Sequence, residues 1–123
     1  MGKLTEDLLP ITYSGEFRRV IATGKRFRRP SVTVIISSSE DTEALSMVGI
    51  TVSKRVGNAV VRNLVRRRIR GVLRMHSWAR GFSMVIITER GADKTSFIDL
   101  SSEIVSAGRE AQVLSLKIGG CRA

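Results

Sequence analysis

The chain has one cysteine, Cys121, and one histidine, His76, among its 123 residues. A lone cysteine closes no internal disulfide and by itself holds no zinc, which fits a reducing, cytoplasmic setting. His76 has no second histidine, no nearby cysteine and no Ser/Asp arrangement beside it, which argues against catalysis or metal ligation. Long apolar runs are absent, so no transmembrane segment is expected. Glu6 and Asp7 interrupt the apolar residues of the N-terminus, against a signal peptide. Acidic residues are also scarce: 11 Asp and Glu stand against 21 Lys and Arg, a net charge of +10. A balance this basic points to nucleic acid or an anionic membrane as partner. Three of the carboxylates, Glu40, Asp41 and Glu43, crowd into one loop. They read as a solvated hairpin connection rather than a metal or acid–base site.

No Asp or Glu lies between residues 44 and 88, and that gap contains the stretch around which the chain is organised. Residues 48–78 open as an alternating apolar strand (Val48, Ile50, Val52), turn at Gly57 and Asn58, and continue as an arginine-rich helix. At about 100° per residue, Val61, Leu64, Val65, Ile69, Val72 and Met75 share one arc. Asn63, Arg66, Arg67, Arg70 and Arg74 occupy the opposite arc, with Arg62 at the border. Arg66, Arg70 and Arg74 follow one another at i, i+4, a like-charge stacking that costs roughly a few tenths of a kcal/mol per pair in an isolated helix. A solvated face normally mixes signs; this one does not, which points to a polyanion. Arginine makes bidentate contacts with phosphate and stacks on bases, as lysine does not. Arg68 breaks the pattern by pointing toward the apolar arc, either snorkelling from its edge or reaching into an adjacent cleft. Gly57 needs positive φ or a close approach. Asn58 suits an N-cap, and the helix N-terminus behind it suits a phosphate.

The rest reads as a platform. Leu8, Leu9, Pro10 and Ile11 are expected to pack on a sheet in extended form. Ser14 is expected to cap a short helix ending at Gly24, with Phe17, Val20 and Ile21 on one face. Lys25, Arg26, Phe27, Arg28 and Arg29 form a basic run before Pro30, an edge or bulge position. Residues 31–37 alternate, with Val32, Val34 and Ile36 on one face. Ile35 keeps the second face apolar enough to floor a cleft. The strand with Val48 is expected antiparallel to this one. Residues 83–88 are near-continuously apolar, as in a strand covered on both faces. Trp78 is expected to seal the arginine helix, and Ser96 with Asp99 resembles a capping box before Phe97, Leu100 and Ile104.

The run Ser53, Lys54, Arg55, Val56, Gly57, Asn58, Ala59, Val60, Val61, Arg62, Asn63, followed by Arg66, Arg67 and Arg70, resembles the signature block of the bacterial ribonuclease P protein subunit. Weaker likeness extends through Phe17 to Gly24 upstream and through Gly91, Ala92 and Phe97 downstream. The block departs from the family at Leu64, where an arginine is usual, and no role is carried to that residue. The resemblance implies RNA contacts at Lys54, Arg55, Asn58, Arg62, Asn63, Arg66, Arg67, Arg70 and Arg74. It implies a cleft for the 5′ leader of precursor tRNA that includes Phe17, Ile21, Val34 and Arg68, with Phe17 at an aromatic position. No catalytic or metal-binding side chain is implied. The RNA subunit carries the chemistry with Mg²⁺ bound mainly by RNA and substrate, and the partners are the catalytic RNA and precursor tRNA, with no membrane and no protein partner required.

The order of elements predicts an α+β fold, a two-layer α/β sandwich over one mixed sheet. A strand–helix–strand unit defaults to a right-handed crossover; the resemblance implies instead the left-handed crossover of a ribosomal protein S5 domain. One domain over residues 1–123 is expected, with residues 1–12 and 109–123 loosely held. Two rival functions fit the composition. A general RNA-binding protein would need the basic helix without the cleft, and a self-sufficient metal-dependent nuclease would cleave without an RNA subunit.

Overall fold

The computed structural model describes residues 7–114. Its elements are β1 (Leu8–Pro10), α1 (Ser14–Thr23), β2 (Lys25–Arg28), β3 (Val32–Ser38), β4 (Ser46–Val52), α2 (Ala59–Arg74), β5 (Phe82–Thr88), a 3₁₀ turn (Ala92–Lys94) and α3 (Phe97–Glu110). The strands form one mixed sheet in the order β1-β4-β5-β3-β2. β1 and β4 are parallel, as are β4 and β5, whereas β5–β3 and β3–β2 are antiparallel. The apolar run of residues 82–88 explains this order. β5 buries six of its seven residues, and only the central position covers a strand on both faces.

That placement corrects one expectation. β3 and β4 run in opposite directions but do not pair, because β5 lies between them. The acidic loop joining them is therefore not a hairpin. It passes the end of β5, where the Gly81 N–H donates to Ala44 O and the Ser39 N–H to Gly81 O.

α2 and α3 cover one face of the sheet, forming the expected two-layer core. Val65, Ile69, Val72 and Leu73 from α2 and Leu100, Ile104 and Ala107 from α3 meet Val32, Val34, Val48, Met84 and Ile86. α1 lies across the other face, where Val20 packs on Ile35 and Val85, with Phe17, Met47 and Ile87 beside them. Alternation along each strand sends odd residues of β3, β4 and β5 toward α1 and even residues toward α2 and α3. Trp78 seals the end of α2, its indole N–H donating to Leu73 O at 2.9 Å.

Capping follows the sequence with one exception. Asn58 Oδ1 accepts from the Val61 N–H at 3.0 Å, and Ser96 Oγ from the Asp99 N–H at 3.0 Å. Ser14, however, is the first residue of α1; the cap position is Tyr13, which makes no side-chain cap. Toward the C-terminus, residues 111–114 fold back so that the Ala79 N–H donates to Val113 O. Of the segments expected to be loosely held, residues 1–12 and 109–123, residues 1–6 and 115–123, with Cys121, lie outside the described residues, whereas Leu8–Pro10 pair with β4 and residues 109 and 110 end α3.

Candidate nucleic-acid interface

The sequence places α2 beyond a tight turn, and the turn sets the helix's first residues. A Cβ on Gly57 would stand 2.8 Å from Val61 Cγ1, so the chain can cross the start of α2 only as glycine. Asn58, capping through its side chain, and the exposed Lys54 and Arg55 then lie at the helix entrance. Along α2, Asn63, Arg67, Arg70 and Arg74 are exposed, and Arg66 is half-buried, donating to Asn63 Oδ1 at 3.1 Å. Arg62 is half-buried, and its Nε is shielded from solvent without a partner among the described residues. The first turn of α2 holds no acidic residue, and no α2 arginine pairs with a carboxylate among the described residues. The result is an outward row of unneutralised guanidinium groups, with hydrogen-bonding capacity left free for phosphates.

The apolar arc of α2 is rotated from its sequence-derived position. Leu64 and Met75 are 38% and 65% exposed, and Leu73, absent from that arc, is fully buried. A Cβ on Gly71 would stand 3.2 Å from the Phe97 ring at the start of α3, while Leu73, two residues on and so on the other side of the helix, joins Val65, Ile69 and Val72 in the core. Leu64 thus sits at the edge of the basic face.

A second surface lies on the α1 side of the sheet. Register aligns Ile35, Val85 and Gly49 in one row and Thr33, Ile87 and Thr51 in the next. Phe17 stands over the first row, its ring occupying the space a Gly49 side chain would need. The second row is less covered: Thr51 is exposed and Ile87 half-buried. Phe17 is half-buried, and Ile21, one turn on, is 37% exposed. Phe27 is buried against the α2 side, so alternation raises the exposed Arg26 and Arg28 on the α1 side, opposite Ile35 and Thr33. The open row is therefore bounded by α1, by Arg26 and Arg28 at the β2 edge, and by Lys54 and Arg55 beyond β4. From β2 to β4 is three strand spacings, about 14 Å at about 4.8 Å each.

Two residues expected in this groove lie elsewhere. Val34 is fully buried in the core under α2 and α3; strand alternation puts it on the opposite face from Phe17. Arg68 donates to Asp93 O at 3.2 Å and Thr95 O at 3.4 Å, holding the 3₁₀ turn against α2. Their places at the groove fall to Ile87, Thr51, Arg26 and Arg28. The alternation of residues 25–28 around Phe27 carries the signal for the two arginines, but which face Phe27 occupies is fixed only by packing. His76 is half-buried, and burial, followed by the nearby Arg109 charge, holds its pKa below the ordinary value. It is therefore neutral at pH 7 and adds nothing to the basic surface.

Comparison with known proteins places this geometry. Residues 9–112 match the family model described as Ribonuclease P. The ribonuclease P protein component of Clavibacter michiganensis is 35% identical over 99 residues, covering 79% of this chain and 87% of that protein. The protein component from Clostridium kluyveri is 26% identical over 109 residues, covering 85% and 96%. Among solved structures, the fold is similar to the Staphylococcus aureus RNase P protein (TM-score 0.75, 22% identity, 86% of this chain and 97% of that one). It is also similar to the RNase P protein from Thermotoga maritima (TM-score 0.70, 19% identity, 80% and 93%).

Proposed function

Because this chain belongs to the ribonuclease P protein family, we propose that its basic α2 face docks the RNA subunit while the groove beside α1 holds the 5′ leader of precursor tRNA. The family's function is maturation of the tRNA 5′ end, and this chain is the protein subunit that partners the RNA subunit in that endoribonuclease.

On the α2 side, Lys54, Arg55, Asn58, Arg62, Asn63, Arg66, Arg67, Arg70 and Arg74 contact the phosphates of the RNA subunit. Docking is electrostatic and sequence-independent, and therefore sensitive to salt. Among the described residues no group of three or more His, Cys, Asp or Glu comes together to hold a metal ion. Mg²⁺, which would supply charge neutralisation and an activated water in phosphodiester cleavage, is in this reading held mainly by RNA and substrate phosphates. What the protein adds is differential binding. A groove that fits single-stranded leader favours precursor over mature tRNA, because only the precursor has a leader. No helix among the described residues is long and apolar enough to cross a membrane; the cytoplasm is the compartment that the proposed RNA partnership implies.

The observation that carries the leader assignment is Phe17 standing over Gly49 beside the row of Thr33, Ile87 and Thr51, which is open at Ile87 and Thr51 while Thr33 is buried and donates to Glu89 Oε2. An aromatic wall beside a floor of Ile87 and two threonines, with basic flanks, can take a single strand by stacking and backbone charge. The test is reconstitution. Purified chain is mixed with a bacterial ribonuclease P RNA at low Mg²⁺, where the RNA alone is slow, and precursor tRNA cleavage is followed. Cleavage at the mature 5′ end is expected. Phe17→Ala is expected to weaken precursor binding more than mature tRNA binding, by about 5- to 150-fold if a full stacking contact is lost. Equal losses for both tRNAs would confine Phe17 to the core.

A further inference from the structure

α1 is weakly held by the means that usually fix a helix. It has ten residues, no side-chain N-cap and one fully buried residue, Val20. Helices this short are marginal without tertiary anchors. The anchor here is polar. Glu16 Oε1 accepts from Arg19 Nε at 3.0 Å and Oε2 from Arg19 Nη2 at 2.9 Å. Oε2 also accepts from Ser83 Oγ at 2.6 Å. Arg19 Nη1 reaches Ser37 Oγ at 3.1 Å, and Thr23 Oγ1 lies 3.2 Å from the same hydroxyl. Ser37 and Ser83 are register partners on β3 and β5. One carboxylate thus ties the first turn of α1 to the two central strands through a bidentate fork, which fixes direction as well as distance.

Glu16 is next to Phe17, the residue over Gly49. We propose that Glu16 is a positioning residue for leader recognition: by locking the first turn of α1 to Ser83 and, through Arg19, to Ser37, it holds the Phe17 ring at the groove wall. This rests on the leader-groove reading above. Glu16 does not touch the leader; it sets where Phe17 stands, and a shift of about 1 Å at a positioning contact is enough to forfeit most of its effect.

The experiment uses the protein assembled with ribonuclease P RNA and measures affinity for precursor and for mature tRNA. The proteins are the unaltered chain, Glu16→Gln, Phe17→Ala, the double variant and Ser83→Ala. Glu16→Gln keeps the side-chain size and removes the charge that the Arg19 fork needs. The expected result is a loss of at least about threefold in the precursor-to-mature affinity ratio, a part of the loss from removing the stacking contact, with affinity for the RNA subunit unchanged. The double variant is expected to match Phe17→Ala alone. Ser83→Ala, which leaves the Glu16–Arg19 pair in place, gives a smaller loss of the same kind and serves as the readout if Glu16→Gln does not fold. An unchanged ratio in Glu16→Gln with a lowered ratio in Phe17→Ala overturns the proposal and leaves the groove standing. Additive losses in the double variant overturn it too, since Glu16 would then not act through Phe17. Equal weakening toward both tRNAs reduces Glu16 to a structural role. If Phe17→Ala itself leaves the ratio unchanged, the leader-groove reading fails first and the proposal with it.

Discussion

Gly49 is invisible as a functional position in the sequence, where it reads as a small residue in an apolar strand. In the fold it is the space into which Phe17 packs. Gly49→Ala is expected to destabilise the chain by about 1–3 kcal/mol, the usual cost of overpacking, measured by chemical denaturation. Combining it with Phe17→Ala should recover most of that loss, because the clash is with the ring. Glu16 supplies a second residue-scale prediction. Its hydrogen bonds with Arg19, then that with Ser83, lower its pKa from 4.5 to about 2 despite partial burial. A depressed carboxylate pKa stabilises the fold above the unfolded value and loses that contribution as pH falls through the folded value. Melting temperature should therefore carry an acid-dependent component between about pH 4.5 and about pH 2, and Glu16→Gln should remove that component. The other carboxylates contribute a dependence of their own, so the comparison is between the two proteins at each pH.

At the scale of elements, α2 is the part whose function was most legible. The arginine row, the Asn58 cap and the turn at Gly57 all stand where periodicity puts them. What periodicity misplaced is the edge of the buried arc: an apolar stripe wider than the buried face leaves open which border, Leu64 and Met75 or Leu73, packs into the core. Replacing Arg66 and Arg70 by alanine is expected to weaken binding to the RNA subunit and to flatten its log–log salt dependence by roughly 0.7–0.9 per lost phosphate contact. Titration of binding against salt concentration gives the slope directly, and a slope equal to that of the unaltered chain would take both residues out of the interface.

For the molecule as a whole, the sheet order decides which surface does what. β5, central and buried on both faces, is the strand whose opening requires the most of the structure to separate. Its amides are expected to exchange slowest, with those of α1 and the β2 edge faster, in a hydrogen-exchange time course. The same order places α2 on one face and the groove on the other. Under the proposed assignment, one small chain grips its RNA subunit and touches the leader without the two contacts competing for surface.

The sequence by itself determined the α+β class, the basic character that suits a polyanionic partner, the strand–turn–helix block with its outward arginine row, and Phe17 as the aromatic of the α1 face. These are local properties: charge, spacing at 3.6 or 2 residues, and capping chemistry are carried by neighbours in the chain. Only the tertiary structure decided that β5 separates β3 from β4, that Val34 and Arg68 belong to the α2 side, and that Arg26, Arg28, Thr51 and Ile87 border the groove instead. Alternation along a strand says that Val34 and Ile35 face opposite ways, yet it does not say which helix waits on either side. That choice is made by burial over the whole sheet: α2 and α3 together cover the even residues, and the shorter α1 leaves part of the odd face open.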